Sequence, residues 1–241
     1  MSAAGAALAN GFCGNALDID DGYRPTKGHP GACALPPVLT AAELSGSCSG
    51  REFLTSLVVA YELGIRAGVI RHATYQAYHA SGSWGAIAGA AAAGRPLGLD
   101  AQQIFHAMGA AEYHAPIAPM MKGIDTPAMG KDSIGWGCMV AVLCATMARD
   151  MFTGIRPLFD DAPDPAWVEN LGQQWEILNL YFKPYAACRW GQPAVAGALK
   201  IVREHNLNPT QIRRIRVRTF DAATCLPNGH PCNTEEAQYS L

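Results

Sequence analysis

The chain has no Cys-x-x-Cys pair in its 241 residues, although it holds eight cysteines. That excludes a zinc ribbon and a dithiol redox motif. The cysteines, at 13, 33, 48, 138, 144, 188, 225 and 232, fall partly inside apolar helical runs, where Cys behaves as a small hydrophobe. They read as reduced thiols, and the expected location is cytoplasmic. Charge is scarce: only 16% of residues are charged and the net charge is -2. Without a basic excess, neither nucleic acid nor a polybasic membrane contact is expected. Nothing of the form Gly-Lys-Ser/Thr follows Gly85 and Gly89, so that stretch is no phosphate loop. Met1 to Asn10 lacks the charged start and long apolar stretch of a secretory signal. The longest run of small apolar residues, Trp84 to Ala93, is too short to span a bilayer.

Apolar residues are plentiful, at 49%, and suffice for a dry core. Phe12 to Pro37 reads as a loop with a tight acidic cluster, Asp18-Ile19-Asp20-Asp21. A short helix is expected from Pro37 to about Ser45. Ser49 is a candidate N-cap, with Glu52 as its capping-box partner, for a helix carrying Phe53, Leu57, Tyr61 and Ile65. In the Ala-rich stretch after Ser83, Gly85 and Gly89 permit close helix approach. Asp100 caps a further helix, and Ile134 to Met151 reads as a long, centrally buried one. Helices are also expected over Trp167–Leu180 and Pro193–His205. Ile212 to Phe220 alternates apolar and basic residues, the period of a half-buried strand.

Five strings carry a resemblance. They are Ala16-Leu17-Asp18-Ile19-Asp20-Asp21 with Gly28-His29-Pro30-Gly31; Tyr78-His79 with the helix ending Gly94-Arg95-Pro96-Leu97-Gly98; Lys131-Asp132-Ser133-Ile134-Gly135; Phe182-Lys183-Pro184-Tyr185; and Glu236-Ala237-Gln238-Tyr239-Ser240. Their order and content resemble the MmgE/PrpD family, which includes 2-methylcitrate dehydratase, cis-aconitate decarboxylase and iminodisuccinate epimerase. The resemblance implies a mainly α fold: a helical body over 1–180, lacking the family's first helices, then the beginning of a smaller α/β lid over 181–241. It also implies a homodimer when complete, no cofactor and no metal.

Proton transfer beside a carboxylate needs a base near neutral pKa and cations to hold the acid groups. The resemblance puts His29 in the role of base, with Asp18 as the carboxylate that orients it. From the residues alone, His29 reads rather as a surface loop histidine, and the acidic cluster as a solvated face or a hard-cation site; the resemblance reverses that order. The resemblance aligns His79 with a second active-site histidine; a structural role is the alternative. Lys131 and Lys183, with Arg189 nearby, are the expected substrate-binding cations. Lys131 lies one residue beyond the family's lysine position, which Gly130 takes, and Lys183 has a solvated surface lysine as its alternative. Gly22 and Cys225 replace a threonine and a tyrosine of the decarboxylases and count against that branch. The expected function is a metal-independent hydro-lyase on a small, 2-methylcitrate-like polycarboxylic acid. The alternatives are an epimerase of an aminodicarboxylate, or a non-catalytic fragment or helical interaction module.

Overall fold

Helix α4 (Gly82–Gly94) consists almost wholly of Ala and Gly, and every one of its residues is buried. With so little side chain to interpose, its neighbours come close on all sides. In the computed structural model, which describes residues 1–241, α4 is the hub of the body. It packs on α7 (Ile134–Arg149), α3 (Gly50–Thr74), α5 (Ala101–His114) and α2 (Pro30–Ser45). Helix α1 (Ala3–Asn15) closes the far side against α7 and α2. The close approach expected at Gly85 and Gly89 is present. A Cβ on Gly85 would lie 2.5 Å from Cys33 Sγ, and one on Gly89 would lie 2.8 Å from Ala141 Cβ.

The fold is mainly α, with one small sheet. The sheet has two strands of two residues, β1 (Asp21–Gly22) and β2 (Tyr181–Phe182), paired antiparallel with Asp21 opposite Phe182. It joins the acidic loop to the segment bearing Lys183. Beyond α6 (Met120–Asp125) and α8 (Ala166–Glu169), the later part of the chain adds α9 (Gln192–Glu204) and α10 (Thr234–Tyr239). Gln238 Nε2 donates to Ala16 O at 2.6 Å, tying α10 back to the same loop.

Several expectations change. The loop expected over Phe12–Pro37 is confined to residues between α1 and α2, because α2 already starts at Pro30 and carries Pro36 and Pro37 inside it. A proline removes the amide that would bond the carbonyl four residues earlier, here those of Ala32 and Cys33. The Cys138 thiol of α7 faces both freed carbonyls, at 3.7 and 3.8 Å. A tertiary donor thus supports what local rules forbid. Trp167–Leu180 is not one helix: α8 ends at Glu169 and Gly172 turns left-handed at φ 81°. The backbone amides of Glu176 and Ile177 go instead to the Glu62 carboxylate of α3, at 3.2 and 2.9 Å. Ile212–Phe220 is not a strand either, since no second strand lies beside it and its alternating side chains are mostly exposed. Ser49 caps α3 through Glu52 N, but the Glu52 carboxylate turns to Arg95 at 3.0 Å rather than closing the box. Asp100 and Gln103 do form a complete capping box.

Helix α3, with 25 residues, is long and apolar enough to cross a bilayer by length and composition. Here it packs on α4 and α2 and buries an ion pair, Arg66 Nη1 to Glu62 Oε2 at 2.9 Å. Such a buried pair is stable only when its remaining donors and acceptors are met. Arg66 Nη2 also donates to Asn170 Oδ1 and Gln174 O, which binds α3 to the segment after α8.

The α2–α4 contact generates a test. Gly85→Val would force a branched side chain against Cys33 and should destabilise the chain by about 1–3 kcal/mol, the usual cost of overpacking. Urea denaturation followed by circular dichroism measures it, and wild-type stability would contradict the close packing of these helices.

Candidate active site

The last residues of α1 and the first of α2 bracket the loop on which the site is built. Asp18 adopts φ 50°, a left-handed conformation uncommon outside glycine that lets the chain reverse after α1. Asn15 Nδ2 then donates to Asp20 Oδ2 at 2.9 Å, and Asp21 Oδ1 accepts from Gly31 N at 2.9 Å. His29 is the N-cap residue of α2, with Pro30 at the first helical position, and its amide donates to Ser81 Oγ at 3.2 Å. The imidazole is thus aimed by the entry of a helix, not carried on a free loop.

Lys183 follows β2 directly, and strand pairing brings its ammonium beneath the acidic loop. Its Nζ lies 2.7 Å from Asp18 Oδ1, 3.0 Å from Asp20 Oδ1 and 3.4 Å from His29 Nδ1. Lys131 approaches Asp18 from the other side, at 3.1 Å. It does so although it stands one residue beyond the family's lysine position. Two consecutive left-handed residues, Asp132 at φ 58° and Ser133 at φ 52°, follow it before α7 begins. Such conformations cost about 1–3 kcal/mol each and persist only where surrounding contacts enforce them.

The carboxylate partner of His29 differs from the expected one. Asp20 Oδ2, not Asp18, lies 3.1 Å from His29 Nδ1, because both ammoniums engage Asp18. Asp132 Oδ2 lies 3.6 Å from the other ring nitrogen and has no hydrogen-bond partner. The electrostatics follow from these neighbours. Burial works against a charged ring, but Asp20 and Asp132 outweigh it and raise the His29 pKa above its ordinary value. Burial likewise opposes ionisation of Asp20, yet His29 and Lys183 hold that carboxyl well below the usual range. For Asp132 burial prevails, and its pKa is raised despite His29 and Lys131. Lys183 is pushed up: its desolvation is overcome by Asp18 and Asp20.

His79 stands apart from this cluster. It is buried, its ring stacks on His72 at 4.4 Å, and its Nδ1 meets Ala77 O at 2.7 Å. Burial lowers its pKa, and that of His72 to about 4. It is absent from the wall of the cavity onto which His29 opens.

That cavity holds about 590 Å³ and includes Asp18, His29, Asp132, Tyr78, Tyr181 and Tyr239 in its wall. Arg24, Lys27 and Arg189 complete its charged lining. Lys131 and Lys183 are not part of that wall; both point at carboxylates instead. Gly22 has a local reason to be glycine, since a Cβ there would sit 2.3 Å from the Tyr181 ring. Cys188 also lines the cavity, but burial pushes its thiol up to about 12, which makes it a poor nucleophile. Cys225 is exposed and lies outside the wall.

Asp18, Asp20 and His29 place potential metal-ligand atoms within 4.8 Å of one another. The Lys183 ammonium already lies against both carboxylates, so a bound cation would have to displace it. Asp20, Asp132, Arg24 and Lys27 were missed in the sequence. The signal available for Asp20 was its place in the same acidic cluster, two residues after Asp18.

Residues 1–168 match the model of the MmgE/PrpD N-terminal domain, and residues 185–241 that of the MmgE/PrpD C-terminal domain. The chain belongs to the MmgE/PrpD family. It is 28% identical to a cis-aconitate decarboxylase-like protein, oryM, of Aspergillus oryzae, over 75% of this chain and 43% of that one. It is 24% identical to a cis-aconitate decarboxylase of Aspergillus terreus, over 98% of this chain and 55% of the relative. The chain spans about half the length of the curated relatives it matches.

Lys183→Met should destabilise the fold by about 3 kcal/mol, because it removes the cation that Asp18 and Asp20 share and leaves one partner for each, Lys131 and His29. The loss should shrink when Asp18→Asn is added, since the two side chains share one interaction. A double-mutant cycle by chemical denaturation measures this, and additive losses would mean that the ion pair is not formed in solution.

Proposed function

We propose that this member of the MmgE/PrpD family contributes the proton-transfer site of a lyase acting on a small polycarboxylic acid, and that the reaction is removal of water from a 2-methylcitrate-like hydroxy acid. The observation that carries the reading is His29, fixed between Asp20 and Asp132 at the wall of a cavity large enough for such an acid. Neutral His29 takes the proton from the carbon beside a carboxylate. The C–H electrons form the double bond as the C–O bond breaks. The imidazolium, held by Asp20, returns the proton to the departing hydroxyl, which leaves as water. Protons balance without an outside acid, and no cofactor or metal is part of the step.

The buried Lys183 and Lys131 keep three neighbouring aspartates from repelling the incoming substrate and the enolate-like charge that develops on it. In this reading their contribution is electrostatic support from beneath the cavity. His79, packed on His72, supports the wall and takes no proton.

A second reading has a specific observation in its favour. The raised pKa of His29 favours the imidazolium at rest, and a protonated imidazole suits decarboxylation. There the C–C bond breaks, carbon dioxide leaves with its oxygens, and the remaining carbanion takes the His29 proton. The relatives named as cis-aconitate decarboxylases fit this chemistry.

The two readings predict opposite pH dependence. If His29 is the base, activity rises with pH as the ring deprotonates, with a midpoint above 6.5, the ordinary histidine value. If it is the acid, activity falls over that same interval. The assay uses citrate-like hydroxy acids and cis-aconitate, with and without a chelator. The dehydratase reading expects the rising limb, no effect of chelation, and a loss of about 10²-fold or more in His29→Ala. A falling limb with release of carbon dioxide would replace it by decarboxylation. Full turnover in a folded His29→Ala variant would remove both.

A further inference from the structure

Charge is divided unevenly within the cavity. Beneath its inner end every cation is committed: Lys183 to Asp18 and Asp20, and Lys131 to Asp18. With His29 protonated, these three positive groups match the three carboxylates Asp18, Asp20 and Asp132, and with His29 neutral the carboxylates outnumber them, so in either state the inner end has no surplus to offer an anion. Toward the outside, Arg24, Lys27 and Arg189 also line the cavity, and none of the three has a carboxylate within 4.0 Å. Nor does any of their side chains donate a hydrogen bond within the protein. Two rest on aromatic faces instead: Lys27 Nζ is 5.3 Å from the centre of the Tyr78 ring, and the Arg189 guanidinium 5.1 Å from that of Tyr181. Both rings belong to the cavity wall.

The turn carrying Arg24 and Lys27 is built rather than loose. Tyr23 N donates to Gly28 O at 3.2 Å, Thr26 Oγ1 to Tyr23 O at 3.0 Å, and Lys27 N to Arg24 O at 3.2 Å. Lys27 is held left-handed at φ 52°. The Tyr23 hydroxyl donates to Glu176, which is itself buried, and His72 Nε2 meets Thr26 O at 2.7 Å. A turn fixed at both ends sets two cations at one mouth, and Arg189 supplies a third from the segment after β2.

We propose that Arg24, Lys27 and Arg189 are the specificity-determining residues of the cavity, a three-cation rim that binds the carboxylates of a di- or tricarboxylic acid remote from the reacting carbon. This rests on the reading of the cavity as a polycarboxylate site and adds which residues count the carboxylates. Two arginines can each grip a carboxylate with two parallel bonds, while the lysine acts as a point charge. Tyr23 is a positioning residue, acting through the turn.

The test is binding rather than turnover, so that it succeeds or fails independently of the reaction class. The probe is propane-1,2,3-tricarboxylate, which has no hydroxyl to lose, compared with butanoate by titration calorimetry at low and high salt. The wild-type chain should bind the tricarboxylate at least tenfold more tightly than butanoate, a preference that shrinks with added salt. Arg24→Ala and Lys27→Ala should each weaken the tricarboxylate about tenfold, the scale of one charge-assisted contact, and leave butanoate unchanged. Arg24→Lys should recover part of the loss, whereas a residue of merely structural importance would show no such rescue by charge. His29→Ala should keep the preference, which separates a failed reaction assignment from a failed rim. Equal binding of the two acids by the wild-type chain, or undiminished tricarboxylate binding by the Arg24→Ala/Lys27→Ala double variant, would overturn the proposal.

Discussion

One ammonium group, that of Lys183, sets the arrangement of the site. Three aspartates close to a single histidine, two of them buried and the third half-buried, would repel one another strongly in a poorly solvated interior. Lys183 lies within 3.0 Å of two of them and makes their ionised forms compatible with burial. Its position in turn depends on the four-residue sheet, because β2 delivers the residue that follows Phe182 to the underside of the acidic loop. Gly22 leaves room there for the Tyr181 ring, which a Cβ at that position would force to shift. A small backbone clasp and a buried ion pair therefore depend on each other. Neither the two-stranded sheet nor the carboxylate cluster would be stable alone.

The helical body serves this arrangement from behind. The Ala and Gly of α4 let α2 and α7 approach, and those two helices carry, at their N-terminal ends, His29 and the Lys131–Ser133 turn. Their mutual contact is reinforced where Cys138 faces the carbonyls left free by two prolines. Strain in the backbone at Asp18, Asp132 and Ser133 falls at the ends of these elements. There, rigid helices can hold side chains in positions that a loop would not keep.

Much of this was legible in the residues, and the failures have physical causes. Patterning located the helix beginning at Ile134, the caps at Ser49 and Asp100, and the small residues of α4, since each depends on local chemistry or simple periodicity. That helix ends at Arg149, however, and leaves Trp136, Leu143 and Met147 exposed rather than being buried all round. The strings around Asp18, His29, Lys131 and Lys183 drew attention to side chains that meet in one cluster. Which carboxylate faces which nitrogen was not legible, because that depends on ion pairing across 165 residues, as between Lys183 and Asp18. Pro36 and Pro37 argued for a loop because the donor that compensates them comes from another helix. Ile212–Phe220 showed the alternation of a strand, but a strand needs a neighbour, and alternation says nothing of where one lies. Nothing in the residue pattern singles out Arg24 and Lys27, and only their shared position in the cavity wall distinguishes them.

Relatives named as decarboxylases, a histidine biased toward its charged form and a rim of free cations all bear on one question, the protonation state of His29. The account holds that Asp20, rather than Asp18, governs it. The most direct measurement is an NMR titration of the His29 ring in the wild-type chain and in Asp20→Asn and Asp18→Asn variants. A pKa above 6.5, the ordinary histidine value, in the wild type, falling substantially in Asp20→Asn and less in Asp18→Asn, is the predicted result. A wild-type value at or below 6.5, or one insensitive to Asp20→Asn, would contradict the account.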